Sequence, residues 1–171
     1  QVLKQAEASD DDTFIFLGDY VDGWSQSFEV VEFLISFQRT HSCIFIKGNH
    51  DAWCAQWLAS GIIKERWYTN GGKACIKSYE HTSEEKKKEH LAFFTALQNF
   101  YIDPKNRLFI HAGFAHTRGP HFDLFGADYN WDKTLFETAL SMDKTLSPDS
   151  VFYPRRLKLF REIFIGHTLT T

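Results

Sequence analysis

Four short motifs of the sequence place metal-competent side chains beside glycines, each directly after an apolar run. Their donors are carboxylate, amide and imidazole groups, with no thiolate among them: Asp19, Asn49, His111 and His167. Each motif taken alone is more often a turn or a structural histidine, but four of them together indicate a shared site. Oxygen and imidazole donors favour a hard or borderline divalent ion, so the set predicts Mn²⁺, Fe²⁺ or Zn²⁺ in a hydrolytic centre.

Two further residues of the same motifs could carry proton chemistry. His50 directly follows Asn49 and is the candidate proton donor, because imidazole titrates near neutral pH. Asp22 lies three residues after Asp19 and could accept a hydrogen bond from His50, which would hold the ring in its cationic form. The sequence therefore predicts a catalytic carboxylate–imidazole pair beside the metal ligands.

The elements that must position these residues are short strands. Four apolar runs rich in Ile and Phe predict strands at 13–17, 43–46, 108–110 and 163–165. The runs do not alternate with polar residues, which predicts that both faces of each strand are covered. Because ligands bind at the carboxyl ends of strands in α/β sheets, the four motifs are expected to meet there.

Helical spacing and turn signals fill the intervals between the strands. A helix is expected at 28–39 with Ser25 or Ser27 as its cap, and another at 51–60 that ends before Gly61. Thr82 and Glu85 form a candidate capping box. Further elements are a helix from that box to about residue 100, a hairpin at 101–110, a helix at 132–142 and a turn at 70–72. This order predicts the α/β class.

Composition limits the classes of function. The 171 residues contain no repeat or linker and are interpreted as one domain, 1–171. A net charge of −3 without a basic field predicts neither a nucleic-acid partner nor an anionic membrane partner. Three cysteines without a CxxC pair predict free thiols in a reducing compartment, and hence a cytoplasmic protein.

The segments GDYVDG, KGNHD, HAG and GHT resemble the motifs of the calcineurin-like metallophosphoesterases over residues 18–168. The form is most similar to the phosphoprotein phosphatase branch, particularly bacterial serine/threonine protein phosphatases. The resemblance implies a four-layer αββα sandwich and two divalent metals bridged by a carboxylate and a hydroxide. By position, Asp19 would be the bridging ligand, and three residues would complete the second metal site: Asn49, His111 and His167. His50, paired with Asp22, would protonate the leaving alkoxide.

The sequence departs from the family pattern at its first motif. An Asp-x-His that would supply two ligands to the first metal does not occur before Gly18. We expect that motif and the opening strand upstream of Gln1, and the last strands of the second sheet could likewise follow Thr171. Without the motif, the first metal site is incomplete in this chain.

A second departure concerns the cation that grips the phosphoryl group. Gly23 and Trp24 follow Asp22, where many phosphoprotein phosphatases have an arginine. Lys133 is the preferred substitute because it follows Trp131-Asp132, although a surface lysine fits equally well. The other candidate cations are Arg118, Arg155, Arg156 and Arg161.

The remaining histidines receive weaker interpretations. His116 and His121 follow the HAG motif and could line the pocket or lie in an exposed loop. Three others are placed on surfaces without a role: His41, His81 and His90.

Together these features predict metal-dependent hydrolysis of phosphomonoesters. The expected substrate is phosphoserine or phosphothreonine in a protein, or a small phosphoester. Hydrolysis of dinucleoside polyphosphates is the alternative within the same chemistry. A scaffold that binds phosphorylated partners without turnover is the alternative if Asp-x-His is truly absent. The sequence does not predict an oligomeric state.

Overall fold

In a computed structural model of the chain, residues 8–9, 11–123 and 129–168 are described. The predicted α/β class is confirmed. The chain divides into two compact units. The first comprises Gln1–Phe16, Tyr20–Phe45 and His50–Leu97, and the second comprises Leu17–Asp19, Ile46–Asn49 and Gln98–Thr171. The single domain and the four-layer sandwich stay predictions.

Two parallel strands form the sheet of the first unit. β1 (Thr13–Phe16) pairs with β2 (Ser42–Phe45), so the first two predicted strands are confirmed within a residue. Most of their side chains are half-buried or exposed, so the expected cover on both faces is wrong for this pair. Each is an edge strand of a two-stranded sheet, which leaves its side chains with fewer neighbours.

Helices make up the rest of the first unit. α1 (Ser27–Phe37) and α2 (Asn49–Ser60) match predicted helices, but α2 begins two residues earlier than expected. A helical segment that was not predicted as such follows, and a kink at Gly71 (φ 108°) interrupts it at the predicted turn. Its parts are α3 (Glu65–Trp67), a kinked segment (Tyr68–Gly72) and α4 (Lys73–Ser78). α5 (Glu84–Ala96) is shorter than predicted, and its cap is Ser83 instead of Thr82.

Aromatic side chains and two thiols fill the core of the first unit. Trp67, Tyr79 and Phe94 are almost fully buried. Cys54 and Cys75 are fully buried, with their Sγ atoms 3.7 Å apart. Both cysteines are free thiols, as predicted, and burial raises the pKa of Cys54 well above its usual value.

The second unit contains a three-stranded mixed sheet. β4 (Arg107–Ile110) lies between β3 (Phe100–Ile102), which is antiparallel to it, and β5 (Glu162–Phe164), which is parallel. This confirms the predicted hairpin. β4 is the buried central strand, whereas β5 is partly exposed because it lies at the edge of the sheet. α6 (Thr134–Ser141) follows Asp132, whose Oδ1 accepts a hydrogen bond from Thr134 N at 2.9 Å. No helix among the described residues is both long and apolar enough to cross a membrane.

The surface position predicted for His90 is wrong. His90 is fully buried on α5, where it stacks on Phe28. Its Nδ1 lies 2.7 Å from the Tyr79 hydroxyl, and its Nε2 lies 2.8 Å from Glu32 Oε1. Burial lowers the pKa of His90 below its ordinary value, and the hydrogen bond that the ring donates to Glu32 opposes this shift. The position is buried because Phe28 and Tyr79 cover the ring.

The buried ring predicts an acid-sensitive fold. Because the pKa of His90 is lower in the folded state, its neutral form contributes stability above the unfolded pKa of about 6.5, and this stability is lost as the pH falls below that value. Between about pH 7.5 and about pH 5.5, the natural chain should lose more free energy of unfolding than His90→Gln. Urea titrations followed by circular dichroism measure the difference, and equal losses would contradict the assignment.

Candidate metal centre and acid pair

Glycines allow two loops of the second unit to approach each other closely. Gly18 has φ 94°, and a Cβ there would lie 2.6 Å from Gly48 N and 2.8 Å from His111 Nδ1. A Cβ on Gly48 would overlap the carboxylate of Asp19. Larger residues at either position would therefore fill the space that the Asp19 side chain and the His111 ring occupy.

The four predicted donors converge on one ring nitrogen. His111 Nε2 lies 3.1 Å from His167 Nδ1, 3.2 Å from Asn49 Oδ1 and 3.3 Å from Asp19 Oδ2. Ligand atoms of the two histidines and the aspartate all lie within 4.8 Å of one another. His111 and Asn49 are buried, whereas Asp19 is partly exposed. The structure thus brings together residues from four separate motifs.

The tautomer of His111 follows from its other hydrogen bond. Its Nδ1 lies 2.6 Å from the Leu17 carbonyl oxygen. A carbonyl only accepts, so Nδ1 carries a hydrogen, and in the neutral ring the lone pair of Nε2 faces Asp19 and Asn49. A lone pair that faces oxygen acceptors is stabilised by a cation among them. The donor set and this supporting hydrogen bond therefore fit a divalent metal.

The ends of β4 and β5 position the two histidines. The backbone N–H groups of Gly166 and His167 donate to the His111 carbonyl at 2.8 and 2.9 Å. Gly166 lies so close to Leu17 that a Cβ on Gly166 would be only 3.0 Å from Leu17 Cβ. These contacts place His167 beside the ring of His111, with 5.0 Å between the ring centroids.

His50 and Asp22 form the predicted pair within the first unit. His50 Nδ1 lies 2.5 Å from Asp22 Oδ2. The carboxylate accepts this hydrogen bond, so the ring carries its hydrogen on Nδ1 and keeps Nε2 for proton exchange. Asp22 has a left-handed backbone (φ 78°), and its N–H donates to Ser27 Oγ at 3.0 Å. Ser27 is therefore not the helix cap that the sequence suggested. The N-cap of α1 is Gln26, whose side chain makes no capping bond.

One residue of this pair's surroundings was missed. Trp67 Nε1 donates to Asp22 Oδ2 at 2.7 Å, and Trp67 is almost fully buried. The two residues are 45 positions apart, and no motif links them. The sequence signal that could have pointed here is the Gly71-Gly72 step, which predicts a turn that could border the cleft.

The candidate phosphate-binding cations differ in their surroundings. Lys133 is exposed at the start of α6, so its proposed contact with phosphate stays a prediction. Arg156 donates to the Phe114 carbonyl at 2.7 Å and to Thr134 Oγ1 at 2.9 Å. Its guanidinium therefore binds the first residue of α6. The guanidinium of Arg118 lies over the ring of Phe122. His116 and His121, the two loop histidines, pack against Phe122 and Phe100 respectively.

The comparison with known families agrees with this geometry. Residues 1–169 match the family model described as calcineurin-like phosphoesterase. The chain belongs to this family. A calcineurin-like phosphoesterase hydrolyses phosphoesters with the help of divalent metals, which agrees with the donor set around His111. The predicted superfamily is thereby confirmed. No curated protein matches the chain significantly in sequence.

The centre makes a direct prediction about metal affinity. Replacing Asp19 with Asn removes the carboxylate from the donor set and should weaken Mn²⁺ binding at least about tenfold. Isothermal titration calorimetry on metal-free protein measures the affinity. Asp149→Asn, which changes an exposed carboxylate of the same unit, is the matched control. Equal Mn²⁺ affinities in the two variants would show that Asp19 is not a metal ligand.

Proposed function

We propose that this calcineurin-like phosphoesterase is a phosphomonoesterase that dephosphorylates phosphoserine or phosphothreonine in proteins. The observation that carries the proposal is the 2.5 Å contact between His50 and Asp22, because it prepares a proton donor next in the chain to Asn49. Hydrolysis of a serine or threonine phosphate releases an alkoxide, a leaving group that needs a proton. A histidine that a carboxylate holds in place as a proton donor suits phosphoserine and phosphothreonine substrates.

In the proposal, four side chains would hold a divalent ion, of which Mn²⁺, Fe²⁺ and Zn²⁺ all suit the donors: Asp19, Asn49, His111 and His167. Asp19 would also serve a second ion, which requires ligands beyond these four. When bound, the metal supplies activation of water and neutralisation of the phosphoryl oxygens. Leu17 contributes indirectly, since its carbonyl holds the tautomer of His111.

His50 would act as the general acid. Asp22 accepts the Nδ1 hydrogen and so fixes the rotation of the ring, while Nε2 would deliver a proton to the departing oxygen. His50 directly follows Asn49 in the first turn of α2, so the chain itself keeps the acid close to a proposed ligand. The cation that would grip the phosphoryl group is Lys133, which is exposed and able to reorient.

The same pair helps to rank the alternatives. In the cleavage of a dinucleoside polyphosphate, the leaving group is a phosphate. It is a weaker base than an alkoxide, so its departure depends less on a proton donor. A scaffold that only binds phosphorylated partners needs no proton donor. Both alternatives are therefore less well supported than the protein phosphatase. The buried free thiols Cys54 and Cys75 favour a reducing compartment such as the cytoplasm, where a phosphorylated protein would be the partner.

Replacing His50 with Asn tests this function. The variant should lose at least about 100-fold in kcat towards a phosphoserine peptide, because an amide cannot deliver a proton, and its metal content should not change. The loss should be much smaller with p-nitrophenyl phosphate, whose leaving group departs without a proton. Steady-state kinetics and elemental analysis provide the two readouts.

His81→Asn, which changes an exposed histidine, is the control for the substitution itself. Unchanged turnover of the phosphopeptide by His50→Asn would refute the assignment of the acid. Faster hydrolysis of a dinucleoside tetraphosphate than of the phosphopeptide by the natural protein would favour the nucleotide alternative.

A further inference from the structure

We propose that Trp67 is a positioning residue for the general acid, an inference that rests on the function proposed above. The indole Nε1–H donates to Asp22 Oδ2 at 2.7 Å, and His50 Nδ1 lies 2.5 Å from the same oxygen. Trp67 thus acts on His50 through the carboxylate that the two residues share. It belongs to none of the four motifs.

The two oxygens of the Asp22 carboxylate differ in their hydrogen bonds, and this difference makes the bond from Trp67 important for the orientation of the carboxylate. Asp22 Oδ2 receives two donors, whereas Oδ1 is buried and has no hydrogen-bond partner among the described residues. Because Oδ1 is buried, solvent does not hold this side chain in place. The rotation of the carboxylate is therefore set at Oδ2. Without the indole N–H, the carboxylate could turn about its Cβ–Cγ bond, and the His50 ring would follow.

The segment after Trp67 is shaped to hold the indole against Asp22. A Cβ on Gly72 would lie 2.6 Å from the indole ring, so only glycine leaves the ring its present place. At Gly71, which has φ 108°, a Cβ would lie 3.1 Å from Asp22 Cβ and 2.8 Å from Gly23 N. Both glycines lie in the segment Tyr68–Gly72, where the backbone leaves helical geometry at Asn70 and Gly71. This kink lets the chain pass close to both the indole and Asp22.

A positioning role has a kinetic signature that a purely structural role lacks. Proton delivery matters in proportion to the basicity of the leaving oxygen, so a displaced acid slows alkyl phosphates more than aryl phosphates. A tryptophan that only fills the core would, when shortened, reduce the turnover of both substrates together. The ratio of the two kcat values therefore separates the two roles.

The test compares Trp67→Phe with Trp57→Phe in the full chain, with Mn²⁺ present. Phe keeps an aromatic ring but removes the N–H, and the Trp57 ring lies 5.6 Å from the Trp67 ring in the same core. For Trp67→Phe, we expect kcat on a phosphoserine peptide to fall about tenfold and kcat on p-nitrophenyl phosphate to fall less than about twofold, with KM unchanged. Trp57→Phe should leave the ratio of the two kcat values as in the natural protein.

Two further variants complete the design. Gly72→Ala keeps the N–H but pushes the indole away from Asp22, so it should produce the same selective loss even if Trp67→Phe fails to fold. In a His50→Asn background, Trp67→Phe should have no further effect on the peptide, because Trp67 acts through His50.

Equal losses on both substrates, or an additive loss in the His50→Asn background, would overturn the role of Trp67. If His50→Asn changes the ratio while Trp67→Phe and Gly72→Ala do not, only the role of Trp67 is wrong. If His50→Asn itself leaves the ratio unchanged, the proposed function fails and the role of Trp67 fails with it.

Discussion

The arrangement of the candidate metal centre depends on the hydrogen bond from His111 Nδ1 to the Leu17 carbonyl. This bond fixes the tautomer of a buried ring, so that the lone pair of Nε2 faces the side chains of three other motifs. In the chain, Leu17 directly follows β1, and His111 directly follows β4. Gly18 permits the approach, because any side chain there would collide with the ring. The other three donors, Asp19, Asn49 and His167, then lie within 3.3 Å of His111 Nε2.

The acid pair follows the same principle with different partners. A single oxygen of Asp22 receives hydrogen bonds from His50 and Trp67, and Gly72, at the end of a kinked segment, leaves room for the indole. In both arrangements, a histidine is held through Nδ1, and the other ring nitrogen is kept for chemistry. The orienting group is a carbonyl for the metal ligand and a carboxylate for the proposed acid. This difference suits their roles, since a carboxylate stabilises a protonated ring and a neutral carbonyl favours a neutral one.

Much of this could be predicted from the sequence because it depends on local patterns. Apolar runs predicted β1, β2, β4 and β5 within one or two residues, and the residues after them supplied His111 and the three donors around it. The missed features depend on contacts between distant residues. Ser27 looked like a helix cap, but its hydroxyl accepts from Asp22 N–H; His90 looked exposed, but Phe28 and Tyr79 cover it. Trp67 reaches Asp22 across 45 positions, and no local period records such a contact.

The most direct test of the central claim is anomalous diffraction from crystals soaked in Mn²⁺ and measured near the manganese absorption edge. We expect an anomalous peak in contact with His111 Nε2, His167 Nδ1, Asn49 Oδ1 and the Asp19 carboxylate, with His111 Nδ1 still bonded to Leu17. A peak bound elsewhere, or a His111 ring that turns Nδ1 towards the metal, would contradict it.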